Sequence, residues 1–144
     1  MITKVKKDTS DLLKELESCS NFKAFYSENE DSILKKNLSE LLGELIETKG
    51  IKKADAIKRS ELSEAYAYQI FSGLRIPERK KLLSLAIGMK LNLAEVQTLL
   101  KSSGYAPLYA KNEFDCVIIF GICKELSIIE INTLLYEYGL DTLG

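Results

Sequence analysis

The stretch that decides the fold lies at residues 51–77 and reads IKKADAIKRSELSEAYAYQIFSGLRIP. Its apolar residues follow the helical period in two short runs joined by a tight turn. We therefore expect one helix over about residues 52–59 and a second over about residues 63–72. Gly73 can end the second helix in the left-handed backbone region without steric penalty, and Pro77 suits the start of the next helix.

Small and apolar side chains mark the helix faces that should turn inward. They are Ala54 and Ile57 on the first helix, and Ala67, Ile70 and Phe71 on the second. The small side chains of Ala54 and Ala67 would let these helices approach closely. Helices on either side are also expected: one is capped by Asn37 and stops near Gly50, and one follows Pro77 with an apolar stripe at Leu82, Leu83, Ala86 and Ile87.

This pattern resembles the helix-turn-helix of the lambda-repressor/Cro-like family, also called the XRE family. The resemblance covers roughly Leu38 to Leu91, where it implies five helical segments. It implies a lambda-repressor-like five-helix domain, which we expect at 38–108. The helical spacing of apolar residues on either side predicts an N-terminal helical arm at 1–37 and a C-terminal helical hairpin at 109–144, so we expect an all-α fold. In this family the third helix enters the DNA major groove, and the second helix braces it and contacts phosphate.

The resemblance assigns two groups of residues on and beside the presumed recognition helix. Candidates for reading base edges are Glu64, Ala65, Tyr68 and Gln69, and candidates for contacting the DNA backbone are Lys53, Ser63, Ser72, Arg75, Arg79 and Lys80. Gln69 has the paired donor and acceptor that bind adenine, Glu64 can accept from cytosine, and Ala65 can touch a thymine methyl group. For each of these side chains the alternative is an ordinary group that faces solvent.

Charge is unevenly distributed along the chain, although the formal net charge is only −1. Residues 49–81 hold nine Lys or Arg against four Asp or Glu, a net +5, whereas residues 91–144 hold three against seven, a net −4. A positive region suits a phosphate backbone, and a negative region repels it. Because the positive region coincides with the turn motif, it favours a nucleic-acid surface there over ordinary variation in charge.

A second pattern is an internal repeat with an offset of 35 residues. Residues 92–100, NLAEVQTLL, align with residues 127–135, SIIEINTLL. Glu95 and Glu130 each fall three residues after a capping residue, and a glycine, Gly104 or Gly139, closes each following helix. We expect two helical hairpins of related design, unless the match only reflects the similar length of two amphipathic hairpins.

The composition excludes several classes of site. The chain has no histidine, and therefore no Ser-His or Cys-His nucleophile pair. It also has no glycine-rich phosphate loop or dinucleotide fingerprint. We expect no enzyme, no catalytic residue and no cofactor. The three cysteines, Cys19, Cys116 and Cys123, lack metal-site spacing, so we expect buried free thiols and no metal.

The chain also lacks the patterns of membrane and secreted proteins. No run approaches 18 consecutive apolar residues. No apolar segment follows the charges at the N-terminus, which reads MITKVKKD. We therefore expect no membrane contact and a cytoplasmic location.

Two functions from different classes fit these patterns. The first is a sequence-specific DNA-binding transcription regulator that binds double-stranded DNA as a homodimer. The alternative is a helical protein-interaction module, antitoxin-like or adaptor, that holds another protein through its acidic C-terminal hairpin, with DNA binding weak or lost. The lack of any basic residue between Leu62 and Leu74 favours this alternative. An internal core or, in part, a dimer interface explains the apolar stripe at Val117, Ile118, Phe120, Ile122, Ile128, Ile131, Leu134 and Leu135.

Overall fold

The computed structural model describes residues 8–30 and 37–144, and these residues form helices but no β-strand. The all-α prediction is therefore confirmed for the described part of the chain. The helices are α1 (Thr9–Ser18), α2 (Phe22–Asn29), α3 (Leu38–Lys49), α4 (Lys53–Ser60), α5 (Glu64–Ser72), α6 (Arg79–Gly88), α7 (Leu93–Ser102), α8 (Glu113–Cys123) and α9 (Ile128–Glu137). The chain divides into two compact units, Met1–Lys35 and Lys36–Gly144. The predicted arm at 1–37 includes residues 1–7 and 31–36, which lie outside the described residues.

The first unit contains the two short helices α1 and α2. Side chains cap both helices, because Asp8 and Asn21 each accept a backbone N–H from three residues ahead, at 2.8 and 3.3 Å. The amide nitrogen of Asn29 donates to the Glu15 carboxylate at 2.8 Å. This bond ties α2 to α1.

Helices α4 and α5 begin and end within one residue of the bounds expected from the sequence. The helix before them, α3, starts where the Asn37 side chain accepts the N–H of Glu40 at 2.9 Å. It ends at Gly50, which has φ 64°. Gly73 ends α5 in the same way, with φ 85°. Both glycines occupy the left-handed region that other residues adopt only with strain.

Two predictions for this region are wrong. Only four helices lie within residues 38–91, because Lys90 has φ 57° in a turn and α7 starts at Leu93. Ala54 is exposed, and Ala56 is buried in its place. The reason is that α4 packs mainly on α6, so its inward face is the one that carries Ala56, Ile57 and Ser60.

The close contact between α4 and α6 depends on a residue without a side chain. A Cβ atom added to Gly88 would lie 2.4 Å from the backbone oxygen of Ala56 and 2.7 Å from the backbone nitrogen of Ser60. Arg59 Nε donates to the backbone oxygen of Gly88 at 2.8 Å. This bond satisfies a carbonyl group that the end of α6 leaves without a helical partner. The two helices are therefore both packed and hydrogen-bonded at this point.

Three helix pairs, α4–α5, α6–α7 and α8–α9, share one kind of connecting turn. Each turn consists of a residue in the left-handed region, a leucine and a capping residue: Glu61-Leu62-Ser63, Lys90-Leu91-Asn92 and Glu125-Leu126-Ser127. The first residues of these turns have φ 60°, 57° and 55°. The expected capping boxes are confirmed at Glu95 and Glu130, and Gly104 and Gly139 adopt positive φ after the helices that they close. The repeat that was evident in two copies therefore has a third, the pair α4–α5.

One continuous hydrophobic core fills the second unit and runs from Leu42 in α3 to Leu143 after α9. Most of the predicted apolar stripe belongs to it, including Ile118, Ile122, Ile128, Ile131 and Leu135. Residues 109–144 thus share a core with residues 38–108. Phe120 does not follow the stripe, since its side chain is 49% exposed. Among the helices described, none combines the length and the apolar character that a bilayer crossing demands.

Candidate nucleic-acid interface

Helix α5 is held at both ends and along one face. At its start the Ser63 hydroxyl oxygen accepts the N–H of Tyr66 at 3.3 Å. At its end the Ser39 hydroxyl of α3 donates to the backbone oxygen of Phe71. The side chains predicted to turn inward, Ala67, Ile70 and Phe71, are buried. These contacts fix the helix and leave its opposite face in solvent.

The four residues expected to read bases lie on the outer part of α5. Glu64, Ala65 and Tyr68 are exposed, and Gln69 is half-buried. Ser72 is exposed as well, and its hydroxyl donates to the backbone oxygen of Gln69 at 3.1 Å. Glu64 is the one acidic residue in this group, which contains no basic residue. The outer face of α5 therefore carries hydrogen-bonding groups and a methyl group but little charge.

Lys53 belongs to α4 but lies beside the last part of α5. Its ammonium nitrogen is 5.0 Å from the centre of the Phe71 ring, within the range of a cation–π contact. Lys52, the residue before α4, supplies no side-chain acceptor to the first N–H groups of that helix. The exposed side chains of Lys52 and Lys53 and the positive end of the helix dipole therefore act together here.

Arg75 lies against the middle of α5. Its Nε donates to Gln69 Oε1 at 2.9 Å, and its backbone N–H donates to the backbone oxygen of Gln69 at 3.2 Å. The guanidinium carbon is 5.3 Å from the centre of the Tyr66 ring. The turn at Gly73 thus brings Gln69 and Arg75 into one cluster with Tyr66. The sequence analysis identified both Gln69 and Arg75 as candidate DNA contacts, but it did not predict the hydrogen bond between them.

Tyr66, like Gln69, is a partly buried member of this cluster. Burial raises its pKa above the ordinary value of 10.0. The Arg75 cation opposes that effect, whereas Glu78 and Tyr105 raise the pKa further. The phenol is therefore neutral at physiological pH, and its ring provides the surface on which Arg75 rests.

Arg79 was expected to contact a DNA backbone, but its guanidinium binds groups of its own chain. Nη1 and Nη2 donate to the two carboxylate oxygens of Asp115 at 2.9 and 3.0 Å. Nε donates to the backbone oxygen of Ala106 at 3.0 Å, and Nη2 also reaches the backbone oxygen of Pro107 at 3.3 Å. Arg79 therefore joins α6 to the start of α8, and it does not belong with Lys53 and Arg75.

Lys80 lies near the C-terminal helix pair instead of α5. Its Nζ is 3.7 Å from Asp141 Oδ2 and 5.4 Å from the centre of the Phe114 ring. The side chains of Lys80 and Asp141 are 41% and 93% exposed, so water weakens their attraction. The positive charge of Lys80 therefore lies near α8, and Lys80 likewise does not belong with Lys53 and Arg75.

Lys49, at the start of the positive region, pairs with Glu95 of α7 at 2.6 Å. The same carboxylate accepts the N–H of Asn92 at 2.9 Å in the capping box. Burial by itself would raise the pKa of Glu95, but the bonds from Lys49 and Asn92 outweigh it, and the pKa lies below its ordinary value of 4.5. Part of the positive charge is thus neutralised by the acidic half of the chain.

A lowered pKa makes the contribution of Glu95 to stability depend on pH. Its carboxylate stabilises the fold above pH 4.5, and this contribution is lost as the pH falls through the lower folded-state value. We expect Glu95→Gln to reduce the free energy of unfolding by about 1 kcal/mol at neutral pH, and the difference to shrink in acid. Urea unfolding followed by circular dichroism at several pH values measures both.

The matched control for this substitution is Glu130→Gln. Glu130 closes the capping box of α9, where it accepts the N–H of Ser127 at 3.1 Å. Its replacement isolates the effect of the cap from that of the Lys49 pair. A Glu95→Gln deficit that stays constant from neutral to acid pH would contradict the proposed linkage.

The residues that hold α6 to α4 and to α8 were not identified from the sequence. Asp115 and Arg59 resemble ordinary surface charges, because the residues that they bind lie 36 and 29 positions away in the chain. Tyr105 likewise donates from its hydroxyl to the backbone oxygen of Pro77. A signal for the third hairpin was present, since all three turns place Ser or Asn directly after a leucine.

The prediction of buried thiols is wrong. Cys19, Cys116 and Cys123 are all free and exposed. On α8 the core side chains are Ile118 and Ile122, and the helical period turns Cys116 away from that face. In residues 8–30 and 37–144, no group of three or more Cys, Asp or Glu side chains is arranged to hold a metal ion.

These positions define a candidate interface made of the outer face of α5 together with Lys53 and Arg75. It offers a carboxylate, an amide, hydroxyl groups, a methyl group and two cations. Such a mixture matches the base edges and phosphates that a protein meets in a DNA groove. A scan against models of protein families, a search of curated proteins and a search of solved structures found no match to this chain.

Proposed function

We propose that this chain is a sequence-specific, DNA-binding transcription regulator of the lambda-repressor/Cro-like type. The observation that carries the proposal is the outer face of α5, where Glu64, Ala65 and Tyr68 are exposed and Gln69 is half-buried. Two cations lie beside this helix, Lys53 at the Phe71 ring and Arg75 at the Gln69 side chain. A rigid helix with polar side chains and flanking cations suits the major groove of double-stranded DNA.

In this proposal the two helices of the turn have separate roles. Helix α5 lies in the groove, where Glu64, Ala65, Tyr68 and Gln69 meet base edges. Helix α4 braces it and presents Lys53 and its own first N–H groups to phosphate. Ser63 and Ser72 lie at the two ends of α5, and both side chains are exposed. Their hydroxyl groups can therefore donate to the phosphates of the DNA backbone.

Regulators of this type bind paired half-sites about one helical turn apart, roughly 34 Å, so we propose that the protein acts as a homodimer. The direct test is fluorescence anisotropy with a library of promoter fragments at low salt. Binding should be strongest for a few fragments and should weaken steeply as salt is added, because phosphate contacts release counterions. If no fragment is bound even at low salt, the proposal fails.

Two substitutions separate base reading from phosphate contact. Gln69→Ala should reduce discrimination between the preferred and the non-preferred base by about 1 to 3 kcal/mol. Lys53→Ala should weaken binding to all sequences alike and reduce the slope of log affinity against log salt by about 1. Anisotropy titrations against matched and mismatched duplexes give both quantities. Identical profiles for the two variants would refute these roles.

A second candidate function is a helical module that binds another protein. Ile129 and Tyr136 favour it, because these side chains are 64% and 80% exposed and lie seven residues apart on one face of α9. Glu130 and Glu137 make the same helix acidic, which matches a partner with an apolar and basic surface.

A charge placed on the exposed face of α9 tests the second candidate. If α9 binds a protein partner, Tyr136→Glu should abolish recovery of a stoichiometric partner from native cell extract and should leave any DNA binding unchanged. Recovery of no stoichiometric partner by the wild-type protein would contradict this second function.

A further inference from the structure

The contact between Gln69 and Arg75 fixes the orientation of the Gln69 side-chain amide. A guanidinium carries only donors, so the group 2.9 Å from Arg75 Nε must be the amide oxygen and not the amide nitrogen. The orientation of this amide therefore follows from the chemistry of its partner. The two N–H groups of Gln69 remain for another acceptor.

Several contacts hold Arg75 in the position that this orientation needs. Its backbone N–H and that of Leu74 both donate to the backbone oxygen of Gln69, at 3.2 and 3.0 Å. The turn that makes this possible passes through Gly73 at φ 85°. The Tyr66 ring lies under the guanidinium at 5.3 Å. The pair is thus set by the end of α5 itself.

Guanine and adenine present different edges to such a pair. In the major groove guanine offers two acceptors, N7 and O6, whereas adenine offers the acceptor N7 beside an amino donor. A free glutamine binds adenine because its amide supplies one acceptor and one donor. Arg75 Nε occupies one lone pair of Gln69 Oε1, so the adenine amino group would have to donate to the second lone pair directly beside the Arg75 cation.

We propose that Arg75 is a specificity-determining residue that changes the base preference of Gln69 from adenine to guanine. By binding Gln69 Oε1 it places its own Nη donors and its positive charge beside the Gln69 N–H groups, and this surface, rich in donors, matches the two acceptors of guanine. This inference rests on the proposed function, and it corrects the expectation that Gln69 reads adenine.

The test is selection of bound duplexes from a random pool by the wild-type protein and its variants. Gln69→Ala first identifies the position that Gln69 reads, because discrimination falls there alone. At that position the wild-type protein should prefer guanine over adenine by about tenfold or more. Arg75→Ala should remove this preference and give adenine the advantage, since the Gln69 oxygen can then accept from the adenine amino group without a cation and competing donors beside it.

A second variant distinguishes the loss of the Arg75 donors from the loss of a positive charge. Arg75→Lys keeps the positive charge but lacks the fork of donors that can bind an amide and a base together, so it should lose the guanine preference with a smaller loss of affinity. Lys53→Ala is the matched control, and it should leave base preference unchanged. Thermal melting of each variant verifies that it is folded.

The outcomes separate this inference from the proposed function. Adenine at the Gln69-dependent position of wild-type sites overturns the inference and leaves DNA binding intact. The same holds if Arg75→Ala weakens all duplexes equally, because Arg75 would then act on phosphate alone. A full guanine preference in Arg75→Lys also overturns the inference, because the preference would then need only a positive charge and not the fork of donors. Failure of the wild-type protein to select any sequence overturns the proposed function itself.

Discussion

Replacing Gly88 with alanine should lower the free energy of unfolding by about 3 kcal/mol or more. The new Cβ atom would lie 2.4 Å from a backbone oxygen and 2.7 Å from a backbone nitrogen of α4. Backbone atoms cannot turn aside as a flexible side chain can, so α4 and α6 would have to separate. The Arg59 bond to the Gly88 carbonyl would be lost with them. Chemical denaturation followed by circular dichroism measures the effect.

Gly43→Ala is the matched control for this prediction. Gly43 lies within α3, and a Cβ atom added there would meet nothing within 4 Å. Because alanine stabilises the interior of a helix relative to glycine, the free energy of unfolding of this variant should rise by about 0.5 to 1 kcal/mol. If the Gly88 and Gly43 variants unfold at similar denaturant concentrations, α4 and α6 do not approach each other as closely as described.

Arg79→Ala should lower the free energy of unfolding by about 3 kcal/mol. The substitution removes both hydrogen bonds to the carboxylate of Asp115, whose side chain is only 8% exposed. The remaining bond to that carboxylate, from the Tyr109 N–H at 3.0 Å, does not balance its charge. Because the Arg79 side chain is 25% exposed, water can partly replace it, and the loss should lie at the lower end of the range for a broken buried pair.

Lys80→Ala tests the same stretch of α6 without a buried partner. Its attraction to the exposed Asp141 is weak, so stability should change by no more than about 0.5 kcal/mol. Removing both charges of the buried pair, as Arg79→Met with Asp115→Leu, should restore part of the loss caused by Arg79→Ala. An Arg79→Ala protein that keeps full stability but loses DNA affinity would show that Arg79 contacts phosphate after all.

Local features of the fold could be predicted from the sequence wherever a short pattern determines the structure. Capping side chains such as Asn92 and Ser127, each with a glutamate three residues later, determine where α7 and α9 begin. Glycines at the ends of α3 and α5 mark where these helices stop. The outer face of α5 followed from the same helical period that placed Ala67 in the core.

The remaining features depend on residues that are far apart in the sequence. Ala54 and Ala56 are equally small, and only the position of α6 decides which of them is buried. The need for glycine at position 88 likewise arises from α4 and not from the neighbours of Gly88 in the sequence. Arg75 and Arg79 are both arginines and lie four residues apart, yet Arg75 binds α5 and Arg79 binds α8. No local pattern distinguishes these cases.

In the three related hairpins, the positions that form the core are constrained and the positions that face outward are not. Each second helix starts after the same turn and buries one small or branched residue four positions after its cap: Ala67, Val96 and Ile131. The outward positions are under no such constraint, and where α5 has Ser72, α9 has Tyr136. One kind of hairpin can therefore keep its buried positions while its outward positions vary, so that α5 has the polar Ser72 where α9 has the exposed aromatic Tyr136.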